Sequence, residues 1–526
     1  MAATTDGTAH QISAKGSSQE SLHEFSDHYN MDDIEDCLDD GVGDDAMRRG
    51  HTKNDQRDMS RMGKRQELIL YAGNQTHGLG LISIGILQDL TLKGLRMVAS
   101  PDYFGHISGH SAPISGGQYH WVSEFASEKH QKFLSYVTGW LSVLAWQAGA
   151  ASGSFLTGNI IEGLITVNKP DYVSTPWRGT LLVFAMVALI FFFNIWVAQG
   201  LPMIQNMLLV VHIFGFLAVV VVLWVMAPHQ SARAVFTEFR NGGSWPSIGV
   251  SVMVGQISAI YGGLSVDATA HMAEEVKDAG RNVPNAIAWG YVANGILAII
   301  FIVTYVFSIP SVDDALNDPS TFPFIYVFRN AVSTKGVNAL TIVILVLVIA
   351  SNVSFNASTS RQTFSFARDK GLPFSRWLSD VHPTKHIPAN AIFVSCLISV
   401  LLSLINLGSS AAFHAIISLN VAALMATYAV SISCVLCLRL TRPELLPDAR
   451  WSLGPVIGPI VNGLGLAYVL FALFWSFWPG DRHVTVDNFN WSIVIFSGVV
   501  AISLVMYYVQ GRKTYTGPVT TVAGRH

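Results

Sequence analysis

The sequence predicts an all-α fold, a polytopic bundle of membrane-spanning helices. Three observations carry that reading. Of the 526 residues, 51% are hydrophobic and only 13% are charged, against about 25% charged in soluble domains. Mean hydropathy is +0.41. Ten apolar runs follow one another between Phe133 and Gln510, each near or above the roughly 20 residues that cross a bilayer.

In chain order the runs are Phe133–Val167, Gly179–Ala198, Met203–Ala227, Ile248–Met272, Ala286–Ser308, Val337–Phe366, Ala389–Gly408, Ser409–Leu438, Pro459–Trp478 and Trp491–Gln510. Before them lies an acidic region. Residues 1–63 hold 14 Asp and Glu against 6 Lys and Arg, with too little apolar content to fold alone. It reads as a disordered cytosolic tail, with no cleaved signal peptide evident. Residues 64–114 are atypical. Their only apolar run, Gly78 to Leu87, is about half a span, and Gln88, Asp89, Lys93 and Arg96 follow at once. A charge at a helix centre costs roughly 2.5–3.5 kcal/mol on insertion scales, so no complete span is expected there. Residues 115–510 are then the bundle and 511–526 a cytosolic tail.

Orientation follows from the loops. With the segment before Phe133 inside, the inside loops carry 14 Lys and Arg and the outside loops 7. Both termini are therefore expected in the cytosol. The four cysteines, Cys37, Cys396, Cys434 and Cys437, suggest no disulfide framework. Cys434 and Cys437 have C-x-x-C spacing, but in an apolar helical run where packing outweighs redox chemistry or zinc. No nucleotide-binding loop, zinc signature or nucleophile elbow is present, which argues against an ATP-driven pump and a membrane hydrolase. No cofactor, metal or nucleic-acid partner is expected.

The stretch most suggestive of chemistry is YGGLSVDATAHMAEEVKDAGRNVP, Tyr261 to Pro284. A span interrupted by Gly262-Gly263 frees backbone groups that lipid cannot satisfy, and such breaks hold substrate or ions in transporters. Tyr261, Gly262, Gly263, Ser265 and Asp267 are its candidate site residues. The alternative is a packing hinge with Asp267 in the aqueous exit. Gln147 is polar at membrane depth, next to Trp146 and the G-x-x-x-G face Gly149 to Gly153. It is either a substrate contact or a helix-to-helix hydrogen bond. Val337–Phe366 turns polar after Ala350, with Asn352, Asn356 and Thr359 on one face and Ser354, Ser358 and Arg361 on the next. A half-polar membrane helix of this kind is expected to line a water-filled path. His212 is alone in its span and is the proton-coupling candidate, against a neutral hydrogen-bonded role. His414 makes a weaker candidate near an interface.

SGGQYHWVSEFA (Ser115–Ala126), HMAEEVKDAGRNVP (His271–Pro284) and SRQTFSFARDKGLPFS (Ser360–Ser375) together resemble fungal amino acid and choline permeases of the amino acid–polyamine–organocation superfamily. The likeness runs from about Asp58 to Gln510. It implies a LeuT-like fold of twelve helices, two five-helix inverted repeats plus two more. It implies that Ile248–Met272 is the sixth helix, Tyr261 an aromatic gate, and Gly262 to Asp267 the unwound stretch. Phe133–Val167, Met203–Ala227 and Val337–Phe366 correspond to the third, fifth and eighth. Two departures stand out. Ser265 replaces a family glycine, and residues 69–114 do not resemble the first two helices, so about ten strong spans of twelve are present. Skipped coding sequence or a retained intron accounts for that; a truncated isoform is the alternative. On this resemblance the chain is a secondary active transporter of choline, gamma-aminobutyrate (GABA) or another small amine or amino acid. It works by alternating access, with the proton as coupling ion, in the plasma membrane. A non-transporting nutrient sensor on the same fold, a non-functional truncated chain and a membrane enzyme are the rivals.

Overall fold

A computed structural model describes residues 115–518, apart from 240, 276–278, 319, 321, 408–411, 447–453 and 487. The segment 69–111, with its expected lack of a complete span, lies outside the described residues, as does the acidic region 1–63. The described chain is helical, with no strand among the described residues. We label the longer helices α1 (Gln118–Phe125), α2 (Glu128–Asn168), α3 (Pro176–Trp196), α4 (Leu201–Met226), α5 (Ile248–Gly262), α6 (Ala279–Phe307), α7 (Pro323–Ala331), α8 (Thr334–Arg368), α9 (Ala389–Ser403), α10 (Ala412–Thr441), α11 (Gly454–Trp475) and α12 (Ser492–Met506).

Helix occupies each of the ten expected runs over its described residues, with Ile248–Met272 broken into two pieces. Nine stretches of the described chain are long and apolar enough to cross a membrane. The tenth, α2, falls short on apolarity, not length. Its 41 residues span about 62 Å at 1.5 Å per residue. It is rich in Gly, Ala, Ser and Thr because it forms the middle of the bundle, packed by α1, α3, α8, α9, α10 and α12. Small residues let helix backbones approach closely where the hydrophobic effect gives no drive. A Cβ on Gly149 would lie 2.4 Å from Phe355, one on Gly153 2.4 Å from Asn352, and one on Gly139 2.2 Å from Phe366. A Cβ on Gly371 would also meet Phe366, at 2.3 Å. The ring of Phe366 is thus held between two glycines where α2 and α8 cross.

The polar half of α8 is not a water-lined face as a whole. Ser351 to Ser354 and Asn356 to Ala367 are buried, and much of this stretch forms a hydrogen-bonded seam with α2. Asn352 Nδ2 donates to Ser154 Oγ (3.0 Å), and Thr359 Oγ1 to the Trp146 carbonyl (3.3 Å). Gln147 Nε2 donates to Thr363 Oγ1 (3.0 Å) and Ser395 Oγ (2.9 Å). Helix α4 is the contrasting case. Met203, Met207, Val210, Phe214, Leu217, Val221 and Val225 form an exposed apolar stripe, the face of a helix that meets lipid. Cys396 is buried, Cys434 half-buried and Cys437 exposed, all three as free thiols.

The described residues after α12 fold back onto the bundle. Tyr515 is 1% exposed, its hydroxyl paired with Ser135 Oγ at 2.6 Å. Its ring packs on Tyr136 and Phe366. Tyr119 donates to Asp369 Oδ2 (2.8 Å) in the same cluster. Burial first, and then the Asp369 carboxylate, hold both the Tyr119 and Tyr515 hydroxyls well above the usual phenol range.

Candidate functional site

Helix α5 stops at Gly262. Gly263 and Leu264 turn back on it, their amides donating to the Ile260 and Tyr261 carbonyls (2.9 and 3.3 Å). Ser265 then takes a left-handed φ of 67°, a conformation that side chains with a Cβ seldom adopt. A 3₁₀ segment follows over ten residues, Val266–Glu275, far beyond the three or four such helices usually last. The break is therefore shorter than the Gly262–Asp267 stretch implied by the resemblance, and helical turns resume before Asp267. Strain of this kind clusters at binding sites and switches.

A cavity of about 50 Å³ opens at the break, room for a few waters on a scale where one needs about 10–15 Å³. Of the candidate residues, Tyr261, Gly262, Ser265 and Asn352 line it. So do Gly149, Gly153, Phe355 and Asn420, which sequence reasoning did not put there. Tyr261 Oη shares a hydrogen bond with Ser152 Oγ at 2.8 Å, which ties the aromatic side chain to α2. Asn420 Nδ2 donates to the Ala145 carbonyl (2.8 Å), which leaves its Oδ1 as an acceptor. No Asp, Glu, Lys or Arg is among the described lining residues. The negative end of the α5 dipole, equivalent to roughly half an elementary charge, points at the space. The arrangement favours a cation through amide oxygens, aromatic faces and the helix end.

Gln147, Gly263, Asp267 and Asn356 are not among the lining residues. Gln147 makes the helix-to-helix hydrogen bonds described above. Asn356 is buried with its Oδ1 unpartnered. Asp267 is 4% exposed, so it does not sit in an aqueous exit. Its Oδ1 accepts from Tyr428 Oη at 2.9 Å, and its Oδ2 accepts from Gln118 Nε2. His271 Nε2 is 3.5 Å from the same Oδ2. His212 is half-buried on α4, whose packing partners include α8 and α6, with Nδ1 unpartnered. It does not line the cavity. His414 is exposed at the start of α10. Sequence reasoning missed Gln118, His271 and Tyr428. His271 carried a signal, since it stands i+4 from Asp267 in a span where any ionisable group is a functional candidate. The other two come from distant helices and carried none.

A bundle of this kind with a broken helix at its centre defines a multi-pass membrane transporter, and comparison with known proteins says which. The chain belongs to the amino acid permease family, whose profile matches residues 103–499. It is 28% identical over 409 residues to an uncharacterized amino-acid permease of Schizosaccharomyces pombe (77% of this chain, 75% of that one). It is 27% identical over 450 residues to the choline transporter of Saccharomyces cerevisiae (85% and 78%). It is 26% identical over 426 residues to the GABA-specific permease of the same yeast (78% and 73%). The fold is shared with a crystal structure of the Eremococcus coleocola manganese transporter, at TM-score 0.51 and 13% identity, covering 88% of this chain and 97% of that one. The protein is thus a transporter of the amino acid–polyamine–organocation superfamily, and not an enzyme.

Proposed function

We propose that the protein moves a small amine or amino acid, of the size and charge of choline or GABA, across a fungal plasma membrane by alternating access coupled to protons. Both termini face the cytosol. The single observation that carries the substrate class is the cavity at the α5 break. Its lining offers neutral acceptors and aromatic faces, without a carboxylate or a base among the described residues. A quaternary or primary ammonium is stabilised there by Tyr261, Phe355, the Asn352 and Asn420 amides and the α5 terminus. Gly262 and Gly263 let the chain leave the helix, and Ser265 sets its direction. Asp267, Gln147 and Asn356 then support the wall from behind. His212 is retained as a testable alternative for the coupling proton.

The test is binding of radiolabelled choline and radiolabelled GABA to the purified full chain. Tyr261→Ala and Asn352→Ala should each weaken binding of the preferred ligand by about tenfold, the equivalent of 1.4 kcal/mol. Unchanged affinity in both variants would remove the cavity from the binding site.

A further inference from the structure

His271 is 0% exposed, with a ring whose two nitrogens are in unequal surroundings. Nδ1 is 2.8 Å from the Ser115 carbonyl oxygen. A carbonyl only accepts, so Nδ1 carries a proton and donates it. Beside this end, Gln362 Nε2 donates to Ser142 Oγ at 2.8 Å. Gly117 makes the approach possible. Its φ is +56°, and a Cβ there would lie 2.5 Å from the imidazole Cε1.

The other nitrogen is unsatisfied. Among the described residues Nε2 has no hydrogen-bond partner, yet it lies 3.5 Å from Asp267 Oδ2. With Nδ1 protonated, a neutral imidazole presents a lone pair at Nε2, and an ionised Asp267 presents another. Two acceptors then face each other in a dry site. One proton between them relieves the contact, whether it resides on nitrogen or oxygen, and it makes the pair neutral overall. Without it the pair carries one negative charge, which burial penalises.

We propose that Asp267 and His271 form a single proton-binding site, and that this proton is the one whose binding is linked to substrate. The inference rests on the reading of the cavity as the substrate site. The linkage has a visible route. Asp267 lies between the lining residues Ser265 and Ala268 in the chain. Trp146 packs edge-on against His271 (4.7 Å between centroids) and at a shallow tilt of 33° against the lining residue Phe355 (4.7 Å). Ser358 Oγ donates to the Ala268 carbonyl at 3.4 Å. A substrate seated on Phe355 and the break therefore bears on the imidazole through one indole, and on the carboxylate through one turn of backbone. A protonated pair is stable in a closed, dry bundle. Release needs water, so the proton leaves when the 3₁₀ segment opens to one side.

Among the described residues, the groups around the pair are mostly neutral. Helix α10 supplies the Tyr428 hydroxyl, and α1 supplies Gln118 and carries His120 two residues further along. Helix α2 supplies Trp146 and Ser142. Helix α8 carries Arg361, whose Nη1 points to the Ala357 carbonyl (3.4 Å) and Ser360 Oγ (3.5 Å). Glu274 and Glu275 close the same 3₁₀ segment, and Arg281 is in the first turn of α6, which packs on it.

The experiment uses purified full-length protein in lipid, titrated over about pH 5 to 8, with two readouts. Infrared difference spectra follow protonation in the absence of ligand, and radiolabelled choline and GABA follow binding. The wild type should take up one proton in a transition that Asp267→Asn and His271→Gln each abolish and His212→Gln preserves. Affinity should rise as pH falls, by up to about tenfold per pH unit for one linked proton. The two variants should bind with a flat pH profile. Should Asp267→Asn misfold, His271→Gln carries the same test, because Gln118 and Tyr428 still satisfy the carboxylate. A titration that survives both substitutions, or vanishes with His212→Gln, overturns the proposal. If neither ligand binds the wild type while the spectral transition is lost in both pair variants, the cavity reading fails and the proton site stands.

Discussion

The two sides of the α5 break are built from opposite chemistries. On the cavity side stand Tyr261, Phe355, Asn352, Asn420 and a set of small residues, with no charged group among the described lining residues. One turn further along, Asp267 and His271 are buried with Gln118 and Tyr428 in a tight polar cluster. The cavity has space and few obligations; the cluster has obligations and no space. Neutral walls suit a ligand that must come and go, because amide and aromatic groups lose little when water replaces it. A paired carboxylate suits a group that must never be left alone, because a buried unpaired charge is costly. Substitutions on the two sides should therefore report in different experiments.

The strongest contrast is expected from Asp267→Ala. It leaves the His271 imidazole, the Gln118 amide and the Tyr428 hydroxyl buried without their common acceptor. Breaking a buried charged pair costs about 3–5 kcal/mol, which should show as a large fall in the thermal unfolding midpoint, read by tryptophan fluorescence in detergent. A midpoint close to wild type would mean the cluster is wet or loosely held. Gly153→Ala should be intermediate and fall on both sides of the divide. Its Cβ would lie 2.4 Å from Asn352 Oδ1, so the amide must move into the cavity it lines. Overpacking costs about 1–3 kcal/mol, and ligand affinity should drop with it. Tyr261→Phe should be smallest. It removes one hydrogen bond to Ser152, about 1 kcal/mol, so affinity falls about fivefold while the unfolding midpoint barely moves. A loss of stability larger than the loss of affinity would show that Tyr261 braces α2 instead of serving the ligand.

Most of the fold was legible because a bilayer imposes length and apolarity on each span. Only α2 reads differently, since a helix enclosed by other helices is freed from lipid and fills with Gly, Ala and Ser. The site was legible in part. Gly262-Gly263 announced the break, because two glycines in an apolar run have few other reasons to be there. Tyr261, Ser265 and Asn352 line the cavity, and proximity to that break or shared facing had pointed to them. Gln147 and much of the polar face of α8 were over-read, because polarity at membrane depth marks a satisfied seam as readily as a cavity. Asn420, Gln118 and Tyr428 could not be found. They arrive from helices hundreds of residues apart in some cases, and a single chain gives no sign of which side chains meet across such distances.

The crowding of Phe366 between Gly139 and Gly371 has a consequence for how this protein can drift over generations. The ring fills the place where a Cβ on either glycine would sit, at 2.2 and 2.3 Å. None of the three positions can change freely while the other two stay fixed. A lineage that loses the ring opens room for larger residues at 139 and 371, and one that gains a side chain at either must first surrender the ring. Across relatives the three should therefore vary as a linked set, and a double substitution such as Phe366→Ala with Gly139→Ala should be tolerated better than Gly139→Ala alone.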